Sequence, residues 1–595
     1  MAKSNLSPTK YNKSSSPSCQ TKKMINQELS KIFREISVLL EIKEVSFKPQ
    51  AYEKVAYAVD SLEEDLGDVY KEGGLKALKA IPGVGESIAD HIEEYIKTGR
   101  VKEYDKLKKE FPVDIESLRS VEGVGPKMIL KLYKKLGIKN LEQLEKSAKA
   151  GKIRNIEGLG QKTEEKILKG IGFLRNSGGR LVLGFNMPTF RIILEKIKNV
   201  EGVKTAKFAG SVRRMQETVG DLDILAISNK PSKVMDFFVS MPEVMAVHAK
   251  GKTKSSVRLK IGIDADLRVL LPESFGAALQ YFTGDKYHNV QLREIAIKQG
   301  YKLNEYGLYR GEKLVAGKDE EDIYKKLGFE VMPPEIRTNH GELEAARDGK
   351  PPKLIDYGDL KGDLQVQTDW TDGEHSIKEM VLAAKKLGLE YICITDHTKS
   401  LAMTGGSDEK RLLKQMAAID EVNREFKSSK FKVLKGAEVN IMKDGTLDID
   451  DEILAKLDVV GAAVHQNFNM SEGDMTNRII RAVENPNVDI IFHPTGRIIN
   501  KRPAYPVNVE ELLKAAKRTK TVMEIDAFPD RLDLKDEYIR KGVEMGVKFA
   551  IDSDAHHIYH LQYLEYGIAQ ARRGWATKTD IINTRSWQEM LKLLK

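Results

Sequence analysis

The chain has 595 residues, a net charge of +9 and two cysteines, Cys19 and Cys393. That length allows several domains, each with its own core. No apolar run is long enough to span a membrane, and two cysteines exclude a disulfide framework, so an intracellular protein is expected. The charge is uneven: residues 1–180 carry 34 Lys and Arg against 26 Asp and Glu, a balance of +8, which points to a polyanion partner for the N-terminal third.

In chain order, residues 1–23 form a Ser/Lys/Pro-rich stretch with no apolar h-region; it is expected to be a disordered tail and not a signal peptide. Three stretches then repeat one device: Ile81-Pro82-Gly83-Val84-Gly85, Val121-Glu122-Gly123-Val124-Gly125 and Ile156-Glu157-Gly158-Leu159-Gly160, each between helical segments. The glycines permit a tight turn. The turn presents backbone N–H groups at a helix N-terminus, an anion site suited to a DNA phosphate without base contact. Other helix–turn–helix corners also use Gly-x-Gly, but three copies on a basic segment favour DNA. The stretches resemble helix-hairpin-helix motifs, with Gly83, Gly85, Gly123, Gly125, Gly158 and Gly160 as the expected DNA-binding positions.

Residues 210–225 read GSVRRMQETVGDLDIL. Asp221-Leu222-Asp223 sits in an apolar run and predicts a strand, on which residues i and i+2 share a face, so both carboxylates project to one side. Two hard oxygen donors suit Mg²⁺ bridging a triphosphate. The amides of Gly210 and Ser211, with Arg214, suit the phosphates. A two-metal site needs a third acid. Asp266, on the strand DADLRVLL with Arg268 on the same face, offers it; Asp264 shares that face and competes.

These motifs, with Tyr281-Phe282-Thr283-Gly284, occur in the order seen in family X DNA polymerases, which residues 24 to about 340 resemble. The resemblance implies two Mg²⁺ ions held by Asp221, Asp223 and Asp266. One lowers the pKa of the primer 3′-hydroxyl and the other neutralises the triphosphate. It further implies nucleotide binding by Gly210, Ser211, Arg214, Gly220, Tyr281, Phe282, Gly284 and Asn289, and a template contact by Arg293. The Tyr-Phe turn would discriminate against a 2′-hydroxyl, and Asn289 would touch the minor-groove edge, which checks pair shape without choosing a base. Residues 24–110 resemble the family's small lyase domain through Pro82, Gly83, Val84, Gly85, Ile88, Ala89 and Ile92. The position of the Schiff-base lysine holds His91, and an imidazole forms no stable iminium, so lyase activity is not implied.

Residues 341–354 are polar, contain Pro351-Pro352 and are read as a linker. Beyond them apolar strands alternate with helical periods: YICITDH, KVLKGAEVNI, VVGAAVHQ, IIFHPTG, TVMEIDAF and KFAIDSDAHH. The alternation predicts β/α units and a parallel barrel. Polar residues follow the strands, where barrel sites lie: Asp396, His397, Glu438, His465, His493, Asp554 and His556. One such histidine is commonly a satisfied core residue; a series of them predicts a metal cluster. This half resembles a PHP domain, a metal-dependent phosphoesterase that bacterial and archaeal family X polymerases carry C-terminally, often as a 3′–5′ exonuclease. The family's first motif, Asp-Leu-His-x-His, reads Asp363-Leu364-Gln365-Val366-Gln367 here. By the resemblance, the two lost histidines bind one of three metals together with the Glu and the last-motif Asp. The retained ligands are Asp372, His397, Glu438, His465, His493, Asp554 and His556, and His375 is a candidate substitute. A glutamine carbonyl is a weaker, harder donor, so that metal is expected to bind poorly or the site to prefer Mn²⁺; Mn²⁺ or Zn²⁺ is expected at this site, two or three ions.

The fold expected is multidomain: a disordered tail (1–23), a lyase-like helical domain (24–110), further helix-hairpin-helix motifs (111–180), an α+β nucleotidyltransferase palm (181–280), a thumb (281–340), the linker (341–354) and a (β/α) barrel-like PHP domain (355–595). The expected function is template-directed filling of short gaps in DNA repair, on gapped or primer-template DNA with deoxynucleoside triphosphates, plus 3′–5′ trimming by the barrel. The expected setting is cytoplasmic and nucleoid-associated, without membrane, as a monomer. Alternatives are a polymerase whose barrel is only a brace and a template-independent nucleotidyltransferase.

Overall fold

The structure is a computed structural model. It describes residues 22–43, 45, 48–60, 62, 65–81, 83–119, 121, 124–176, 179–427 and 431–595. The tail expectation for 1–21, with Cys19, and the expectations for Pro82 and Gly123 lie outside these residues. The chain divides into two units, Met1–Gly172 and Phe173–Lys595. No helix among the described residues is long and apolar enough to cross a membrane.

The first unit is helical. In the helix Lys22–Ile42, Leu29, Phe33, Ile36 and Leu40 recur at helical spacing and are buried, so one stripe faces the core. Two of the repeated turns cap helices with glycine: Gly85 before Glu86–Thr98 and Gly125 before Pro126–Leu136, both with extended backbone and no side-chain cap. Gly83 and Gly158 adopt φ of 82° and 79°, the left-handed region that disfavours a β-carbon. Gly85, Gly125 and Gly160 are exposed, which leaves first-turn amides open to an anion.

The second unit contains three folded parts. The palm is a mixed five-stranded sheet of β1 (Val203–Phe208), β2 (Asp221–Ser228), β3 (Val244–Lys250), β4 (Lys254–Leu259) and β5 (Asp264–Leu270), in the order β1-β2-β5-β4-β3. Only β2 and β5 run parallel. The thumb holds a three-stranded antiparallel sheet over residues 302–316 and the helix Glu320–Lys326. Residues 341–354, read as a linker, instead contain the helix Glu342–Arg347, and Leu343, Ala346 and Leu354 pack in the thumb core. The prolines and charges hid an i, i+3 apolar pair.

The third part is a seven-stranded parallel sheet in sequential order: β6 (Gly362–Val366), β7 (Tyr391–Ile394), β8 (Lys432–Asn440), β9 (Val459–Ala463), β10 (Ile490–Ile491), β11 (Val522–Asp526) and β12 (Phe549–Asp552). β6 and β12 approach each other: Val366 bridges Ala555, and the Leu364 amide donates to Asp552 at 2.9 Å. The sheet is therefore a nearly closed barrel, as expected from the alternation. Residues alternate between two cores, Tyr391 and Cys393 in one and Ile392 and Ile394 in the other, the alternation a barrel strand requires.

Palm and barrel share a core. Ile499, Leu532 and Tyr566 of the barrel half are buried among palm residues such as Val219 and Phe190. Beside them Arg497 donates to Glu217 at 2.6 and 3.2 Å, and Gln570 donates to the same carboxylate at 2.9 Å. Burial opposes ionisation of Glu217, but Arg497 outweighs it and holds the carboxyl below its usual range. Its stabilisation is therefore present at neutral pH and lost on acidification. Arg497→Ala leaves that carboxylate without its cation, and a loss of about 3 kcal/mol is expected. Calorimetry checks it: the unfolding midpoint falls, and Glu217→Gln combined with Arg497→Met recovers much of the loss.

Candidate active sites

Asp221 and Asp223 open β2 on one face of the sheet. The parallel register sets Asp223 opposite Asp266 and Asp221 opposite Asp264, so backbone position alone leaves both downstream acids in contention. Their partners separate them. Asp264 is half exposed and tied to Arg258 and His248, each at 3.0 Å, and these hold its carboxyl below its ordinary value. Asp266 accepts the Ser256 hydroxyl at 2.5 Å and faces Lys254 at 3.2 Å. Burial, followed by repulsion from Asp221 and Asp266, pushes the Asp223 carboxyl up to about 6. Three carboxylates this close, one of them held partly protonated by burial and its neighbours' charge, form a volume that divalent cations would relieve.

The turn before β2 closes over these acids. Gly210 has φ 58°, and a β-carbon there would stand 2.5 Å from Asp223 Oδ2. Gly210→Ala is therefore expected to displace Asp223 and lower single-nucleotide insertion by about a hundredfold, measured as kcat on a one-nucleotide gap. In the same turn the buried Ser211 Oγ and Arg214 Nε have no hydrogen-bond partner among the described residues, and phosphate oxygens would satisfy both. Arg214 Nη1 donates to the Thr283 carbonyl at 2.7 Å. Arg213 instead ties the palm to the thumb. It donates to Glu320 at 2.8 and 2.6 Å, and Arg337 joins the same carboxylate at 2.5 Å. Gly220 leaves room for Arg180, whose Nη1 would lie 3.1 Å from a β-carbon there.

The Tyr281–Gly284 segment ends the helix Phe275–Thr283. Tyr281 and Phe282 meet edge-to-face at 5.1 Å, and Arg268 lies 4.5 Å over the Phe282 ring. Asn289 donates to the carbonyls of Tyr281 at 2.7 Å and Gly284 at 2.9 Å, and accepts from Gln280 at 2.9 Å. In this state it staples the turn. Arg293 Nε donates to the Asn289 carbonyl at 3.2 Å. In the first unit, His91 Nδ1 lies 2.9 Å from the Tyr52 hydroxyl, and burial pushes the imidazole below its usual pKa.

In the barrel the strand ends gather seven predicted ligands at one rim. Glu438 is buried at the end of β8. Its Oε1 lies 2.9 Å from His465 Nε2 and 2.8 Å from His493 Nε2, and its Oε2 lies 3.5 Å from His397 Nδ1. His397 Nε2 is 3.6 Å from Asp372, which is 3.6 Å from His556 Nε2. Two clusters of cation-ligand geometry result, Asp372/His397/His556 and His397/Glu438/His465, sharing His397. Asp554 reaches His556 Nδ1 at 3.8 Å. His493 and Asp554 hold left-handed backbone, φ 29° and 49°, a strain that folds retain at functional sites.

Donor chemistry tests whether a cation fits. Asn440 Oδ1 lies 2.7 Å from His465 Nδ1, and the Asn440 amide nitrogen is committed to Asp448 at 2.8 Å and Thr398 at 3.0 Å. His465 Nδ1–H must then be the donor, which leaves a lone pair on Nε2 aimed at a carboxylate oxygen. That contact is repulsive unless a cation or proton lies between, so the residues fit a metal. Burial opposes ionisation of Glu438, but His397 and His465 hold it well below its usual value. For His556 burial also acts against the charge, yet Asp554 and Asp372 push its pKa up to about 10.

The glutamine positions differ. Gln367 donates to Glu438 Oε2 at 2.8 Å, and both amide atoms of the buried Gln365 have no hydrogen-bond partner among the described residues. Asp396 is structural: it accepts from the Thr368 amide at 2.8 Å, from the Thr368 and Thr371 hydroxyls at 2.5 Å, and from Gln415 at 2.6 Å. His375 packs 4.3 Å edge-to-face on His557, outside both clusters. Sequence reasoning missed Asn440, although it shares a strand face with Glu438, and Arg531, whose Nε lies 3.3 Å from Asp554.

Models of four families match the chain: a helix-hairpin-helix domain over residues 24–101, a SAM-like helix-hairpin-helix tandem over 115–172, a DNA polymerase beta thumb over 278–338 and a PHP domain over 363–568. Hairpins, thumb and PHP barrel in one chain define the class, a polymerase-beta-type DNA polymerase joined to a phosphoesterase domain. The DNA polymerase/3′-5′ exonuclease PolX of Bacillus subtilis (strain 168) is 35% identical over 577 residues, 96% of this chain and 100% of the relative. The chain belongs to this PolX family of family X polymerases. A probable phosphatase of Thermoanaerobacter sp. (strain X514) is 33% identical over 219 residues, 35% of this chain and 84% of that protein. DNA polymerase lambda of Arabidopsis thaliana is 24% identical over 315 residues, 44% of this chain and 53% of that one. Polymerase and PHP families are both metal-dependent.

Proposed function

We propose that the chain extends a primer along a template at Asp221, Asp223 and Asp266, and removes nucleotides from 3′ ends at the barrel rim. The observation that carries this is the pairing of three mutually repelling carboxylates with the unsatisfied donors of Ser211 and Arg214. Cation ligands and phosphate ligands then meet in one pocket. Two Mg²⁺ ions at the palm and two Mn²⁺ or Zn²⁺ ions at the barrel would supply charge neutralisation and activation of the attacking oxygen. The chain's own residues do the rest. Gly210 brings the phosphate turn against Asp223. Ser211 and Arg214 receive phosphate oxygens, and Asn289 leaves the Tyr281–Gly284 turn for the incoming nucleotide. In the barrel, Asn440 orients His465 and Glu438 gathers the imidazoles. Gly83, Gly85, Gly125, Gly158 and Gly160 present amides to the backbone of gapped DNA, which makes binding independent of sequence.

Single-nucleotide gap filling on a 5′-labelled primer tests the first half; an intact chain that adds nothing with any divalent metal removes it. A second reading, a barrel that only braces the palm, is favoured by Gln367 occupying a Glu438 oxygen and by Leu532 and Tyr566 in the palm core. It predicts no digestion of 3′ ends.

A further inference from the structure

We propose that Arg531 is a phosphate-binding residue of the barrel centre, receiving the phosphate of the nucleotide being removed. This rests on the reading of the barrel as a phosphodiesterase. Arg531 follows β11 and is one quarter exposed, and its Nε lies 3.3 Å from Asp554 and 3.5 Å from the buried Asp526. Asp554 is itself 3.8 Å from His556, so the guanidinium stands beside the cluster Asp372/His397/His556. The charge of Arg531 is also felt by His493, and that of Glu438 by Arg531.

Two structural arginines of this unit spend terminal donors on protein acceptors. Arg573 donates to Asp536, Gln570 and the Met215 carbonyl, and Arg337 to Met332 and Glu320. Arg531 differs from both. Its nearest acids are approached through Nε, and among the described residues no hydrogen bond reaches Nη1 or Nη2. Two parallel donors not spent on a protein acceptor match two phosphate oxygens.

The backbone that carries Arg531 is also fixed in place. Leu532 is buried in the palm core, its carbonyl accepts from Gln570 at 3.1 Å and from Arg497, and Asp533 accepts from Thr495 at 2.9 and 2.8 Å. On the other side Phe528 packs against Tyr563 at 5.3 Å and Phe185 at 6.2 Å. A donor held on both flanks costs little reorganisation when an anion arrives. With neutral amides at 365 and 367 in place of imidazoles, this cation is available to offset phosphate charge.

The test uses the full chain carrying Asp221→Asn and Asp223→Asn, which silence the palm, alone and with Arg531→Ala or Arg531→Lys. Three quantities are read: Mn²⁺ bound per chain, calorimetric affinity for thymidine 5′-monophosphate, and digestion of a 3′-labelled primer. The expected result is unchanged Mn²⁺, at least about tenfold weaker monophosphate binding and about a hundredfold slower digestion in Arg531→Ala. Free guanidinium should restore part of the loss in the alanine chain and none in the lysine chain. Unchanged monophosphate affinity, or lost Mn²⁺, would overturn the assignment. Arg531-dependent monophosphate binding in a chain that digests nothing would keep the assignment and remove the nuclease reading.

Discussion

Asp223→Asn is expected to lower single-nucleotide insertion by about a thousandfold or more, because it removes one of the three carboxylates proposed to gather divalent cations at the palm. The same substitution should stabilise the metal-free chain. The Asp223 carboxyl is pushed up to about 6, above its unfolded value, so its contribution to stability is full at acid pH and lost as pH rises through 6. In EDTA at pH 7.5 the variant should therefore unfold at a higher temperature than wild type, and at pH 4 the two should coincide. With metal present the sign reverses for function. Protons compete for the site below about pH 6, so the Mg²⁺ concentration giving half-maximal insertion should climb as pH falls. A half-saturation concentration independent of pH between 5.5 and 7.5 would contradict the shared carboxylate volume.

Glu438→Ala is expected to abolish 3′-end digestion, a loss of about a thousandfold, while gap filling persists. Glu438 is 1% exposed and holds His465, His493, His397 and Gln367 about its two oxygens. Without it the imidazoles lose the carboxylate on which they converge, and the Mn²⁺ content of the barrel should fall. Glu438→Gln separates charge from packing: it keeps the side-chain volume, so the unfolding temperature should fall less than in Glu438→Ala while digestion and Mn²⁺ are still lost. Metal analysis of the two variants with a labelled-primer time course checks both.

The features legible in the sequence are those whose geometry is local. Asp-x-Asp on a strand, Gly-x-Gly before a helix and an acid or histidine just past an apolar run each carry their own spatial consequence within a few residues. The barrel and its rim were therefore readable, as were β2 and β5. The tie between Asp264 and Asp266 was not, since both share a face and only Arg258, His248, Ser256 and Lys254 distinguish them. The union of palm and barrel was equally hidden: Glu217 and Arg497 are 280 residues apart, and Leu532 reads as a barrel-loop residue until the palm core encloses it. Asn289 shows the converse, a position the family resemblance assigns to nucleotide binding and the folded chain bonds to its own turn. Arg531 carried no signal, because an arginine in a loop gains meaning only from the acids around it.

The most direct measurement is digestion of a 3′-labelled primer with Mn²⁺ and no nucleotides, by wild type, His465→Ala and Asp223→Asn. The account predicts steady shortening by wild type and Asp223→Asn and none by His465→Ala, which should still fill a gap once nucleotides are added. Digestion by His465→Ala at the wild-type rate, or no digestion by wild type, would contradict two separate chemistries on this chain.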